Sequence, residues 1–222
     1  MKLQRFAENE TFKNMIQPRL GFPPVGFHLK GKWHKDFFGN DNPIVLELGC
    51  GRGEYTVGLA QLFPEKNFIG IDIKGARMWR GAKTALEENL SNAGFLRIAI
   101  DQIAHYFGEN EVSEIWITFP DPQPQESRER KRLTHKLFID RYKSFLKPDG
   151  IIHLKTDSTG LFFYTMQVIK ENKYKLKGHT YDLYSSDFKS DILSIKTTYE
   201  KMFLAKGMKI NYLQFTPQVA GQ

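Results

Sequence analysis

The stretch from Asn42 to Tyr55 reads N-P-I-V-L-E-L-G-C-G-R-G-E-Y and decides the fold. It opens on a short apolar run, Ile44 to Leu46, and a run this short between turn residues is typical of a buried parallel strand. Three glycines follow at alternate positions, and glycine lets a ligand approach the backbone closely. The residues after Gly53 are helix-like. A strand, a glycine loop and a helix N-terminus in this order predict the nucleotide-binding corner of an α/β sheet.

The spacing of the glycines separates classes of ligand. It is G-x-G-x-G, whereas the dinucleotide fingerprint needs its third glycine one residue later, and the chain has no P-loop motif. The segment Glu47-x-Gly49-x-Gly51-x-Gly53 instead resembles motif I of the class I S-adenosylmethionine methyltransferases. A glycine-rich turn that serves only packing is the alternative for this stretch taken alone.

Length and composition limit what the chain can be. Its 222 residues suffice for one sizeable α/β domain. A single cysteine, Cys50, excludes a disulfide framework and is best explained as a small buried residue, and the histidines lack the spacing of a zinc site. The N-terminus lacks a signal-peptide core and no apolar run is long enough to span a bilayer, so we expect a cytoplasmic protein without a membrane partner.

The formal net charge of +7 favours a polyanionic partner. Two segments concentrate this charge. One contains Lys30, Lys32 and Lys35 around Trp33, a residue suited either to stacking on a base or to packing on the domain. The other is the cluster Arg128, Arg130, Lys131 and Arg132, which suits phosphate contacts unless it is merely a solvated surface.

Acidic residues follow several predicted strands. Asp72 ends the second strand, Asp101 ends the third, and Asp121 follows the fourth within a loop that alternating prolines make rigid. Open α/β sheets bind ligands at the carboxyl ends of their strands, and an acid after the second strand accepts hydrogen bonds from ribose hydroxyls. These carboxylates are therefore candidate ligand contacts. Asp157 follows the fifth strand, where it is either a site residue or a helix N-cap.

The predicted fold is α/β, a Rossmann-like class I methyltransferase fold with a central, mostly parallel seven-stranded sheet and helices on both faces. Residues 1–43 form an N-terminal arm without a strong periodic element, broken by Pro18, Pro23 and Pro24. Residues 44–217 form a single methyltransferase domain.

Four motifs occur in one order along the chain. After the glycine loop come Phe119-Pro120-Asp121-Pro122-x-Pro124 with its basic cluster, then Lys155-Thr156-Asp157, then Thr197-x-Tyr199-Glu200-x-x-Phe203. Together they resemble bacterial tRNA (guanine-46-N7)-methyltransferase, the TrmB family, from about Ile44 to Phe215. The resemblance implies methyl transfer from S-adenosylmethionine to guanine N7 in the variable loop of tRNA, with S-adenosylhomocysteine as product. It also implies tRNA as the partner. We expect a monomer or homodimer, with no obligate protein partner and no metal.

The resemblance also implies residue roles. Asp121 matches the catalytic position. Cofactor contacts fall on Glu47, Gly49, Gly51, Gly53, Asp72, Asp101 and Asp121; substrate contacts on Gln125, Asp157, Thr197, Thr198, Tyr199 and Glu200; RNA-backbone contacts on Arg128, Arg130, Lys131 and Arg132. Three positions depart from the family. Gln123 replaces the usual tryptophan, and Gln125 replaces the usual lysine, so the charge of that substrate contact is missing. Asp72 stands where many members have glutamate, a change that keeps the carboxylate.

Three functions remain open at this point. The first is the tRNA guanine-N7 methyltransferase. The second is a methyltransferase acting on another RNA or a small molecule. The third is a non-catalytic RNA-binding protein on the same fold, which would be marked by loss of the cofactor-site acids. Glu200 alone also fits a solvated helix residue.

Overall fold

The structure, a computed structural model, describes residues 2–19, 26–188, 193 and 195–219. Within these ranges the strands are β1 (Met15–Ile16), β2 (Ile44–Leu48), β3 (Asn67–Asp72), β4 (Ala93–Arg97), β5 (Val112–Thr118), β6 (Leu146–Thr156), β7 (Tyr174–Thr180) and β8 (Asn211–Val219). The α-helices are α1 (Lys2–Thr11), α2 (Glu54–Leu62), α3 (Gly75–Glu87), α4 (Lys136–Lys143), α5 (Thr159–Glu171) and α6 (Thr198–Ala205). The predicted breaks at Pro23 and Pro24 lie outside the described residues.

One mixed sheet organises the chain in the order β1-β4-β3-β2-β5-β6-β8-β7. Strands β1 to β6 pair in parallel, and β8 pairs antiparallel with both β6 and β7. The chain runs outward from β2 through β3 to β4, then returns to place β5 on the other side of β2. This reversal opens a crevice at the carboxyl ends of β2 and β5, where α/β sheets bind ligands.

Strand β2 is buried on both faces, which explains its almost continuous apolar sequence. Ile44, Leu46 and Leu48 belong to a core cluster that includes α4 and α5 residues such as Ile139 and Leu161. The alternate residue Val45 belongs to a second cluster, which includes α2 and α3 residues. The helices therefore cover both faces of the sheet, as predicted.

The sheet has eight strands among the described residues, so the predicted count of seven is wrong. The additional strand is β1, whose Met15 and Ile16 pair with Phe95 and Leu96 of β4. Two residues are too few to show a period of two, so the sequence carries no local signal for this strand. Helix α1 was missed as well. The division of the chain at residue 43 stays a prediction.

The basic segment around Trp33 packs on the domain. The Trp33 side chain is fully buried, its indole donates to the Tyr106 carbonyl at 2.9 Å, and its ring stacks on Phe107. The Glu111 carboxylate accepts from the backbone N–H groups of Gly31 and Trp33 at 2.8 and 2.9 Å. Glu111 directly precedes β5. The segment therefore lies at the amino end of that strand, opposite the crevice.

One element boundary differs from the sequence prediction, and another strand has an irregular ladder. Strand β4 ends at Arg97, and Asp101 lies four residues later in the 3₁₀ helix Ile100–His105. Strand β6 begins at Leu146, which pairs with Val112 before the ladder resumes at Ile151. Among the described residues, no helix combines the length and apolarity needed to traverse a bilayer.

Candidate active site

A cleft of about 480 Å³ lies at the carboxyl ends of the central strands. It is lined by residues from the glycine loop, the proline loop after β5, the turn after β6 and the start of α6. Elements far apart in sequence therefore meet in one place. The predicted site residues that line the cleft are Glu47, Gly49, Gly51, Asp72, Asp121, Lys131, Asp157, Thr197 and Tyr199.

The glycine loop after β2 divides its glycines between a ligand side and a packing side. Gly49, Gly51 and Gly53 all have positive φ, between 56° and 74°. A Cβ at Gly49 would meet nothing within 4 Å, and at Gly51 only the Gly49 carbonyl at 4.0 Å, so this side is open. A Cβ at Gly53 would lie 2.5 Å from the Phe95 ring. The loop is thus packed behind and open in front.

Cys50 lies within this loop and is buried, as predicted. Burial raises the pKa of its thiol well above the usual value, and the nearby carboxylates of Glu47 and Asp72 act in the same direction. The thiol therefore stays protonated at neutral pH and is a poor nucleophile.

Asp72, at the end of β3, ties two backbone segments together. One carboxylate oxygen accepts from the Gly51 N–H at 2.9 Å and the other from the Lys74 N–H at 2.9 Å. Asp72 also lines a second cavity of about 540 Å³, whose walls include Asp101, Arg130 and Lys131. The cleft and this cavity share Asp72 and Lys131, so they form adjoining parts of one site.

Glu47 is buried in the floor of the cleft and is fully engaged. Its carboxylate accepts from the Thr56 N–H at 2.9 Å, from the Thr56 hydroxyl, and from the Thr118 hydroxyl at 2.7 Å. Burial raises the pKa of Glu47 to about 7, although the hydrogen bonds from Thr56 and Thr118 oppose the shift. The side chain joins β2, α2 and β5 beneath the ligand space.

The proline loop places Asp121 in the cleft. Phe119 and Gln123 on either side of it have positive φ, 47° and 44°, a conformation that is rare for residues with a Cβ. The Gln123 N–H donates to the Asp121 carboxylate at 3.1 Å, and the Arg132 side chain donates to the Gln123 carbonyl at 3.2 Å. The Arg132 guanidinium also lies 4.2 Å from the Tyr164 ring centroid. Arg132 therefore holds this loop in place.

Asp157 faces the cleft without capping the helix that follows. The N-cap of α5 is Ser158, whose hydroxyl accepts from the Leu161 N–H at 3.2 Å. The helix-cap alternative for Asp157 is therefore wrong, and its partly exposed carboxylate remains available at the cleft.

The segment Thr197 to Glu200 divides between cleft and core. Thr197 caps α6, accepting from the Glu200 N–H at 3.2 Å, and both the N–H and the hydroxyl of Thr198 donate to the Glu54 carboxylate. Glu200 has no solvent exposure and forms a 2.8 Å ion pair with Lys155. It is therefore not a solvated helix residue. Tyr199 is 46% exposed and lines the cleft.

Some predicted residues lie away from the cleft. Gln125 and Arg128 are exposed at the start of the 3₁₀ helix Glu126–Lys131, and neither lines either cavity. Gly53, Thr198, Glu200 and Arg132 also line neither cavity, and the last three bond to Glu54, Lys155 and Gln123. Their placement separates the residues that could touch a ligand from those that hold them.

Sequence reasoning overlooked several supporting residues. Thr56 and Thr118 bind Glu47, Glu54 binds Thr198, and Lys155 pairs with Glu200. Lys155 carried a signal, because a lysine inside an apolar strand needs a partner. The others are common polar residues at helix or strand ends and carry no distinctive pattern.

The site can be compared with known proteins. Residues 41–213 match a family described as putative methyltransferase. A protein of Bacteroides thetaiotaomicron named tRNA (guanine-N(7)-)-methyltransferase is 53% identical, over 96% of this chain and 84% of that protein. A protein of Christiangramia forsetii with the same name is 53% identical, over 96% of each chain.

Solved structures share the fold at low identity. A 16S rRNA (adenine(1408)-N(1))-methyltransferase from Catenulisporales acidiphilia, solved with SAM, is 14% identical with a TM-score of 0.53, covering 83% of this chain and 88% of that one. This likeness supports the Rossmann-like methyltransferase fold, and the two curated relatives are far closer in sequence. The chain therefore belongs to the TrmB family of tRNA (guanine-N7)-methyltransferases.

Proposed function

We propose that this cleft binds S-adenosylmethionine and transfers its methyl group to N7 of guanosine 46 in the variable loop of tRNA. The chain is an enzyme, a tRNA guanine-N7 methyltransferase, as its curated relatives are named. The observation that carries the residue assignment is the convergence of Asp72, Asp121 and Asp157 on one cleft beside an open glycine loop.

The residues present fit this cosubstrate. The faces of Gly49 and Gly51 are open, so a ligand can lie against the loop backbone. Asp72 uses one lone pair of each carboxylate oxygen on a backbone N–H, which leaves acceptor capacity for a ribose diol. The Asp101 side chain forms no hydrogen bond within the described part of the chain and lines the adjoining cavity, where it suits the adenine amino group.

The chemistry requires no general base. The cosubstrate supplies an electrophilic methyl group on a positively charged sulfur. Guanine N7 has an in-plane lone pair and no proton at neutral pH, so Asp121 need not remove one. The purine becomes cationic as the N–C bond forms and the S–C bond breaks. An adjacent carboxylate in a fixed loop stabilises that charge. Asp121 suits this role because its proline loop is rigid and its side chain lines the cleft.

Guanine recognition falls to the other wall of the cleft. The Watson–Crick edge of guanine presents N1–H and N2–H donors, and a carboxylate accepts from both. Asp157 is available for this contact because Ser158, not Asp157, caps α5. Tyr199, exposed at the cleft, offers a ring on which a base turned out of the tRNA can stack. Thr197 lines the same wall.

The remaining assignments concern the tRNA outside the target base. Arg128 and Arg130 are exposed and suit phosphate contacts beside the cleft. Lys131 lines both cavities, and Arg132 acts by holding the proline loop. Gln125 lacks the charge of the lysine that the family usually carries there. A cytoplasmic location and a monomeric or homodimeric state suit this function and stay predictions.

Methyl transfer from labelled SAM to unmodified tRNA, followed by nucleoside analysis, tests the function. The expected product is 7-methylguanosine at position 46. Label in another nucleoside would overturn the proposal. Asp121→Asn keeps the side-chain shape and removes the charge, so it should lower kcat more than it weakens SAM binding. An equal loss in both quantities would remove Asp121 from the chemical step.

A further inference from the structure

A second basic surface adjoins the cleft, and no sequence motif marks it. It is a cavity of about 510 Å³ that we call the arginine groove, lined by Arg5, Arg52, Arg77, Trp79, Arg80 and Tyr199. Its residues come from α1, the glycine loop, α3 and the start of α6. Arg52, Arg77 and Tyr199 also line the cleft, so the groove is continuous with it.

The positive charge of the groove is largely unneutralised. Four guanidinium groups face one carboxylate, Glu54, whose oxygens accept from Thr198. Among the residues that the structure describes, Arg52, Arg77 and Arg80 form no ion pair, and all three are exposed. Uncompensated arginines collected in a concavity attract anions, and phosphates above all.

Packing of α1 on α3 builds part of this groove. The Asn9 and Asn14 side chains donate to the carbonyls of Gly75 and Ala82 at 2.9 and 3.0 Å. The Trp79 indole donates to Glu8 at 2.8 Å, and the Arg5 guanidinium lies 4.8 Å from the Trp79 ring centroid. The N-terminal arm thus places Arg5 at a fixed point beside the arginines of α3.

We propose that the arginine groove, which adjoins the cleft, binds the sugar–phosphate backbone of the tRNA. This inference rests on the proposed function, because the cleft must receive a base that remains attached to its strand. Tyr199 stands where groove and cleft join, so a nucleotide flipped into the cleft has its neighbouring phosphates within the groove. Charge and continuity with the cleft favour a nucleic acid over a free anion.

The test compares two double variants that remove the same charge. Arg5→Gln with Arg80→Gln changes the groove without touching residues that line the cleft. Lys32→Gln with Lys35→Gln removes two exposed cations at the opposite end of the sheet. Binding of unmodified tRNA is measured for both variants and the wild type across salt concentrations. Each lost phosphate contact flattens the log–log salt slope by about 0.9.

The groove variant should bind tRNA about tenfold more weakly at low salt, with a slope reduced by about one to two units. Its SAM affinity and its kcat at saturating tRNA should match the wild type. The lysine variant should change neither affinity nor slope. Equal log–log salt slopes for the two double variants would contradict the proposal that the groove binds tRNA. Arg80→Gln alone, which leaves the contact between α1 and Trp79 intact, should still flatten the slope, and no change there would also contradict the proposal.

Wild-type methyl transfer separates this inference from the proposed function. If the wild type methylates tRNA and the two double variants behave alike, the groove is wrong and the function stands. If the wild type binds tRNA through the groove but forms no 7-methylguanosine, the function fails and the groove stands.

Discussion

Lys155 and Glu200 form an ion pair of 2.8 Å from which solvent is excluded. Lys155 lies on β6 two residues before Asp157, and Glu200 lies next to Tyr199 in the first turn of α6. The lysine also donates to the carbonyls of Leu193 and Ile195 at 3.0 and 3.2 Å. The pair fixes the distance between two walls of the cleft.

Glu200→Gln should destabilise the fold by about 3–5 kcal/mol, because it leaves the Lys155 charge buried without its counter-ion. Urea unfolding measures the effect. Lys155→Met combined with Glu200→Gln should recover part of the loss, since no buried charge then remains. Additive losses in the two single variants and the double variant would show that the residues do not act as a pair.

Glu47 should make stability depend on pH. Burial raises its folded-state pKa to about 7, above the 4.5 of an exposed glutamate. The stability it confers is therefore fully present below pH 4.5 and is lost as the pH rises through 7, by on the order of 3 kcal/mol. Glu47→Gln lacks this titration. The difference in unfolding free energy between wild type and variant should change across this window, and a constant difference from pH 4 to pH 8 would refute the assignment.

Gly81 should be intolerant of alanine although it lies inside a helix. A glycine in a helix usually costs about 1 kcal/mol relative to alanine. At Gly81, however, a Cβ would lie 2.6 Å from the Arg52 carbonyl and 2.9 Å from the Gly53 Cα. Gly81→Ala should therefore destabilise by about 1–3 kcal/mol and weaken SAM binding by displacing the glycine loop.

Gly160, in the first turn of α5, is the matched control for Gly81. A Cβ there would meet only the Ser158 hydroxyl at 4.0 Å. Gly160→Ala should therefore stabilise the protein by about 0.5–1 kcal/mol. Thermal unfolding measures both variants. If Gly81→Ala and Gly160→Ala shifted the Tm in the same direction, the close packing inferred behind the glycine loop would be incorrect.

Substitution by asparagine should have different effects on SAM affinity and Tm at Asp101 and at Asp72. The Asp101 side chain makes no hydrogen bond within the described residues, so Asp101→Asn should weaken SAM binding about 10-fold to 100-fold with little change in Tm. Asp72 also accepts from Gly51 and Lys74, so Asp72→Asn should lower both affinity and Tm. Calorimetry and thermal unfolding measure the two effects. Unchanged SAM affinity in Asp101→Asn would place that residue outside the cofactor site.

The parts of the site that follow from local pattern were predictable. The G-x-G-x-G spacing identified the loop whose glycines adopt positive φ, and acids after the second and fourth strands indicated Asp72 and Asp121. Each of these residues lies within a few positions of the strand that it follows. Such local patterns can be recognised because strands, turns and helices each have a characteristic periodicity or composition.

The rest depends on contacts between distant residues. The pairing of Lys155 with Glu200 joins positions that α5 and β7 separate along the chain. A two-residue strand such as β1 is defined only by its neighbour β4. The sequence around Trp33 was compatible both with packing on the domain and with stacking on a base. Only the contacts with residues before β5 show that this side chain is buried. The arginine groove likewise includes Arg5 only because α1 packs beside α3.

The methylation of guanine N7 is tested most directly with a tRNA that carries 7-deazaguanosine in place of the target guanosine. This base keeps the Watson–Crick edge and replaces N7 with carbon, so recognition remains and the nucleophile is lost. We expect this tRNA to bind like the unmodified transcript and to accept no methyl group from labelled SAM at that position. Methyl incorporation there at the rate of the unmodified tRNA would contradict the assignment of N7 as the attacking atom.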